Sequence, residues 1–264
     1  MTRHDSSYET DSWQGVALTD QGRVRTSNQD AFAVLNQCGV WMVADGMGGC
    51  AGGDIASRIV VDYLADELAQ NLGTRVSEST QLESRADLLR DLIQASNQAV
   101  LAEASRRPEF TGMGTTLVVL MVLPQPRPTA LVAHVGDSRA YCLRSGVLTQ
   151  VTRDHSFVEE SLRNGHLTEA EALNHPLRHM LTRAVGAEPH LETEITIHLL
   201  TPEDSLLLCT DGLTKMLPDP VIRKTLLHYS ADLLQSCRAL VNEANARGGD
   251  DNTTVVLTRN NLTK

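Results

Sequence analysis

TTLVVLMVLPQPRPTALVAHVGDSRAYCLRSGVLTQV, residues 115–151, is a set of four apolar runs separated by turn-forming residues. Runs 115–123 and 129–135 are long enough for strands. They are joined by Pro124-Gln125-Pro126-Arg127-Pro128, which reads as a stiff hairpin loop rather than a recognition motif. Runs 139–143 and 147–151 turn at Ser145-Gly146 and form a second hairpin. Successive hairpins pair antiparallel and argue against the strict β-α alternation of a doubly wound sheet.

Residues 13–18, 31–35 and 40–44 upstream read as further short strands, as do 192–199, 206–210 and 255–257 downstream. Ile55, Ile59, Tyr63, Leu64 and Leu68 keep a spacing near 3.6 and predict a helix over 54–71. Leu88, Leu92, Ala95, Ala99 and Val100 predict a second over 84–106, ended by Pro108, with a break at 73–80 between the two. A third helix is expected over 230–247. The polar stretch 154–190 carries His155, His166, His175 and His179, shows one expected helix at 157–164, and otherwise reads as a mobile surface flap. Strands in runs interrupted by helix pairs give an α+β layered sandwich. No repeat or interdomain linker is visible, so 13–260 reads as one domain behind a polar tail, 1–12.

Three aspartates share a local setting. Asp45 ends Val40-Trp41-Met42-Val43-Ala44 and precedes Gly46; Asp211 ends Leu206-Leu207-Leu208-Cys209-Thr210 and precedes Gly212. Asp251 stands in Gly248-Gly249-Asp250-Asp251-Asn252, just ahead of Val255-Val256-Leu257. A carboxylate at the mouth of a buried strand is held rigidly but is costly without a compensating positive charge. Converging on one sheet edge, three of them would form an oxygen-rich pocket for hard divalent cations.

Composition bounds the alternatives. With 41% hydrophobic and only 3% aromatic residues, the core is aliphatic. A net charge of -10 without a Lys/Arg block argues against nucleic acid. The apolar runs fall short of the roughly 18 residues a membrane span needs, and the N-terminus lacks the order of a signal peptide. Cys38, Cys50, Cys142, Cys209 and Cys237 form an odd set without CxxC spacing, which fits reduced, structural thiols and a cytoplasmic location.

Seven motifs in order carry a family resemblance. Arg25-Thr26-Ser27-Asn28-Gln29-Asp30 is similar to the opening motif of the metal-dependent protein phosphatases, the type 2C serine/threonine class, and Val43-Ala44-Asp45-Gly46-Met47-Gly48-Gly49 resembles the second. Gly112-Met113-Gly114-Thr115-Thr116, then His134-Val135-Gly136-Asp137-Ser138-Arg139-Ala140-Tyr141, continue the series. Leu181-Thr182-Arg183-Ala184-Val185-Gly186, Cys209-Thr210-Asp211-Gly212-Leu213 and Asp250-Asp251-Asn252-Thr253-Thr254 complete it. Any Asp-Gly pair is a common turn; the ordered series is specific, and its Asn-Gln-Asp variant looks bacterial.

The resemblance implies a four-layer α-β-β-α sandwich, two central, mainly antiparallel sheets flanked by helix pairs. It implies Asp45 bridging two Mn²⁺ or Mg²⁺ ions, the Gly46 carbonyl binding one, and Asp211 and Asp251 holding the second. Asp30 is then an outer-shell residue that orients water, Arg25 binds substrate phosphate, and Asp137 joins Asp211 at a third metal. Gln29 replaces a common Glu; its carbonyl still accepts a hydrogen bond but carries no charge. Phosphorylated proteins, including a serine/threonine kinase, are the implied partners, for a monomer that binds neither nucleic acid nor membrane.

The residue types suit that chemistry. Two hard cations roughly 3.5–4 Å apart activate water and clamp transferring oxygens, and oxygen ligands select Mg²⁺ or Mn²⁺ over zinc. Other readings stand beside these. Asp137 could cap its hairpin and pair with Arg139, and Asp250 could face the metal in place of Asp251. The histidines of 154–190 read as solvated, and Thr115 and Thr116 as strand-entry residues with locally bonded hydroxyls. Gly46 to Gly53 lacks the Lys-Ser/Thr of a nucleotide P-loop and reads as a tight turn. A silent phosphoprotein-binding module and a small-molecule phosphoester hydrolase are the alternative functions.

Overall fold

Strand β3 (Val40–Met47) sets the layering. Val40, Met42 and Ala44 join one apolar cluster while Trp41 and Val43 join another, as the two-residue period of a strand buried on both faces requires. In β5 (Leu117–Leu123), Leu117, Val119 and Met121 enter the first cluster and Val118, Leu120 and Val122 the second. The computed structural model describes residues 13–48, 52–72, 81–123 and 127–261. The expected tail 1–12, the break at 73–80, the middle of the proline-rich loop (124–126) and Gly49, Cys50 and Ala51 lie outside the described residues.

One five-stranded sheet runs β1 (Trp13–Asp20), β11 (Thr253–Asn260), β10 (Ser205–Cys209), β7 (Arg139–Arg144), β8 (Val147–Gln150). The other runs β2 (Asp30–Leu35), β3, β5, β6 (Thr129–Val135), β9 (Glu194–Leu199), with β4 (Gly114–Thr115) paired to β3. Every pairing is antiparallel. Helices α1 (Gly53–Asn71) and α2 (Gln81–Arg106) cover the second sheet: Val60, Leu64, Leu89 and Ile93 share the first cluster. Both tryptophans, Trp13 and Trp41, lie in the layer between the sheets.

The outer face of the first sheet is covered by α6 (Asp219–His228) and α7 (Leu233–Ala246), where Ile222, Leu226, Leu240 and Val241 meet Leu207 and Val255. Three apolar layers between four layers of secondary structure give the α-β-β-α sandwich. The helix expected over 230–247 is therefore α7 preceded by a separate α6, absent from the sequence reading. Strand 115–123 breaks at Thr116, whose N–H donates to the Asp45 carbonyl at 2.9 Å. Region 154–190 contains two short helices, α3 (Phe157–Arg163) and α4 (Glu169–Leu173), the second closed by a Thr168–Glu171 capping box.

Candidate active site

Carboxylates from both sheets arrive at one end of the sandwich. Asp30 opens β2 and lies directly opposite Asp45 of β3 in the register. Like charges so placed oppose strand pairing, so the pair needs a cation or a proton. Asp137 occupies the turn between β6 and β7, Asp211 opens the single-turn helix α5 (Asp211–Thr214), and Asp251 precedes β11. Arg25, Asp45, Gly46, Asp137, Asp211 and Asp251 line a common cleft of about 1050 Å³.

Backbone and threonine contacts fix these positions. The Asp45 N–H donates to Thr116 Oγ1 at 3.0 Å, and its carbonyl accepts from Thr115 Oγ1 at 2.9 Å. The two threonine hydroxyls thus reach across 70 or more residues, and Thr116 also meets Ser138 at 2.7 Å; the expected local bonding holds only for Thr115, whose hydroxyl also lies 2.9 Å from the Thr116 carbonyl. Gly46 has no room for a side chain, because a Cβ there would lie 2.0 Å from the Gly53 carbonyl at the start of α1. Asp30 stands back from the cleft lining: its Oδ2 accepts from Thr210 Oγ1 at 2.9 Å and Thr254 Oγ1 at 2.6 Å. Asn252 ties the Arg25 loop down, accepting from Gln29 N–H at 2.8 Å and donating to the Gln21 and Ser27 carbonyls at 2.9 Å.

Burial pushes the Asp30 carboxyl up to about 7, against the Thr254 and Thr210 donors and aided by the charges of Asp211 and Asp251. Burial likewise raises Asp45 well above the carboxylate range, with Asp30, Asp211, Asp137 and Asp251 adding to it. Asp137 rises to about 7 through burial, then Asp211 and Asp154, with Lys215 opposing. Asp30 Oδ1 and Asp211 Oδ1 are buried without a hydrogen-bond partner among the described residues. Orphaned carboxylate oxygens beside an all-oxygen donor set fit hard divalent cations.

Two cationic groups enter the cluster. Arg25 donates to Asp251 Oδ2 at 2.9 Å, and Lys215 Nζ lies 2.5 Å from Asp211 Oδ2 and 3.1 Å from Asp251 Oδ2. Thr210, Asn252 and Thr254 stand in the quoted motifs without an assigned role, and Lys215 lies outside them; its one signal in the sequence is the four-residue step from Asp211 on a helix-like turn. Asp250 is exposed, while Asp251 faces the cleft. Arg139 forks onto Asp154, at 2.7–3.1 Å, and not onto Asp137.

The solvated reading fails for His155, which is 4% exposed, whereas His166 and His179 are exposed. Burial lowers His155 to about 4, helped by His134 and Arg183. His134, His155 and Glu194 are close enough to hold a metal ion. Yet the imidazoles stack nearly parallel at 4.6 Å, so their in-plane lone pairs do not converge. The Gly136 N–H also donates to His155 Nδ1, which leaves the proton on Nε2, 3.4 Å from Glu194. This is a hydrogen-bonded stack that ties the Asp137 turn to the flap, where Thr182 N–H donates to the His155 carbonyl at 2.9 Å.

The family model for protein phosphatase 2C matches residues 20–252, which include every aspartate of the cleft. The chain belongs to the protein phosphatase 2C family. As a protein phosphatase 2C it is a metal-dependent protein phosphatase, and its relatives are bacterial. It is 36% identical over 249 residues to the serine/threonine phosphatase stp of Listeria monocytogenes, covering 93% of this chain and 95% of that one. The S. agalactiae serine/threonine phosphatase superposes with a TM-score of 0.83 at 34% identity, over 94% of this chain and 99% of that one. The catalytic domain of the phosphatase PstP, in complex with two manganese ions, superposes with a TM-score of 0.77 at 31% identity, over 94% and 98%. Among the described residues of this protein phosphatase 2C, no helix is long and apolar enough to cross a membrane.

Proposed function

We propose that the enzyme removes phosphate from phosphoserine and phosphothreonine in proteins by direct attack of water at a binuclear Mn²⁺ or Mg²⁺ centre. Asp45 and the Gly46 carbonyl, with Asp211 and Asp251 across the cleft, would hold the two ions, Asp211 and Asp251 taking the second. The observation that carries this reading is convergence: strand-end carboxylates from both sheets share a cleft, and a buried oxygen of Asp211 lacks a donor. When bound, such cations would activate water and offset charge on the phosphoryl oxygens.

The chain's own groups supply the rest. Asp30, braced through Oδ2 by Thr210 and Thr254, keeps Oδ1 to orient a water. Arg25 is half exposed at the mouth and offers a planar fork for the substrate phosphate. Asp137 would serve a third, looser ion with Asp211, and the Gln29 amide would accept from water where a Glu would add charge. The substrates include targets of a serine/threonine kinase, or the kinase itself, and the enzyme acts as a cytoplasmic monomer.

Phosphate release from a phosphothreonine peptide, beside a free nucleotide, tests the reading with and without Mn²⁺. Mn²⁺-dependent turnover of the peptide is expected, and Asp211→Asn should lower it by roughly a hundredfold or more with the fold intact. Turnover of the nucleotide alone would indicate a small-molecule hydrolase. No turnover at saturating metal would leave a phosphoprotein-binding module.

A further inference from the structure

Among the described residues Arg25 and Lys215 alone pair with the cluster aspartates, and they differ in kind. Arg25 touches one carboxylate from a half-exposed position. Lys215 bridges two, Asp211 and Asp251, with its side chain about one-third exposed. It follows α5, its N–H donating to the Asp211 carbonyl at 2.8 Å, so the i,i+4 step lays the lysine stem back along the turn toward the Asp211 carboxylate. Asp211 and Asp251 are the pair assigned above to the second cation.

An ammonium and a divalent ion both seek the oxygens that Nζ holds, Asp211 Oδ2 and Asp251 Oδ2. We infer that Lys215 is a tethered internal competitor for the second metal position: its ammonium holds the Asp211–Asp251 pair together and yields it when the ion binds. The inference rests on the ligand assignment proposed above. Its physical cause is crowding. Asp30, Asp45 and Asp137 surround the pair, and an uncompensated pair of carboxylates there would repel them and each other. The tethered cation therefore steadies the metal-free fold at the expense of metal affinity. Lys215 is a positioning residue on this account, acting through the carboxylates and not on substrate.

Calorimetric titration of Mn²⁺ into metal-stripped wild type, Lys215→Met, Lys215→Arg and Asp211→Asn tests this. Lys215→Met should bind the ion assigned to Asp211 and Asp251 about tenfold more tightly, since that pair no longer has to release the ammonium, and leave the ion assigned to Asp45 and the Gly46 carbonyl unchanged. Lys215→Arg keeps the charge and should stay near wild type. In EDTA, Lys215→Met should melt below wild type, and saturating Mn²⁺ should erase or reverse that order. Lys215→Gln should repeat both shifts, which separates them from a packing defect of the methionine. Unchanged or weaker Mn²⁺ affinity in both neutral variants, with Asp211→Asn binding Mn²⁺ more weakly than wild type, would overturn the competitor role alone. Wild-type Mn²⁺ affinity in Asp211→Asn would overturn the ligand assignment and this inference with it.

Discussion

Asp30 and Asp137 are carboxyls that burial pushes up to about 7, and Asp45 is raised in the same direction by the same cause. A divalent cation takes carboxylates ionised, so binding below about pH 7 must expel protons that the protein otherwise keeps. Above that pH the protons of Asp30 and Asp137 have already left. Mn²⁺ binding at about pH 6 should therefore release one or more protons per chain, and the release should shrink toward about pH 8.5. Apparent affinity should rise over the same interval by up to about tenfold per pH unit for each proton displaced. Calorimetry in buffers of different ionisation enthalpy reads the proton count, and zero release at the lower pH would contradict the raised carboxyls. Asp45, Asp211 and Asp251 were legible because each adjoins an apolar run and a Gly or Asn. Thr210, Thr254 and Lys215 were not, since no periodicity marks them. Thr210 and Thr254 meet Asp30 across 180 and 224 residues of sequence, contacts that exist only once the sheets have paired.

Strand β1 meets β3 across the sandwich through a gap left by Gly15. Asn36 Oδ1 accepts from the Gly15 N–H and from Trp41 Nε1, both at 2.8 Å, and locks the indole against β1. A Cβ on Gly15 would lie 2.1 Å from Trp41 Nε1, and the indole is fully buried with nowhere to go. Gly15→Ala should destabilise the fold by roughly 1–3 kcal/mol through overpacking, a fall of roughly 3–10 °C in melting midpoint. Thermal unfolding in saturating Mn²⁺ measures it; a midpoint within a degree of wild type would mean that the sheets close less tightly than the geometry requires. Strands were readable because both faces of β3, β5 and β10 are buried, which writes them as unbroken apolar runs. The short helices were harder. The five residues of α4 and four of α5 are too few to show a period, although Thr168 and Glu171 spelled a capping box. The ten residues of α6 bury only Ile222 and Leu226, a stripe too thin to separate from a polar loop.

The three apolar layers share strands. β3 and β5 feed both the helix-covered layer and the inter-sheet layer, while β10 and β11 feed the inter-sheet layer and the one beneath α7. Loss of any layer strips one face from strands that another layer needs, so we propose that residues 13–260 unfold as one cooperative unit. The cleft adds a second coupling. Asp45 belongs to one sheet, and Asp211 and Asp251 flank β10 and β11 of the other, so a cation shared among them, as proposed above, would join the sheets at the end where Asp30 and Asp45 face each other. A ligand bound only by the folded state contributes about 2.7 kcal/mol at a hundredfold excess over its dissociation constant. For a chain of this size that corresponds to roughly 5–10 °C in melting midpoint. Calorimetric scans should accordingly show a single transition both in EDTA and in Mn²⁺, displaced upward as a whole by the metal. Two transitions, or a metal that sharpens only part of one, would mean that the sheets unfold separately and that the cation does not bridge them.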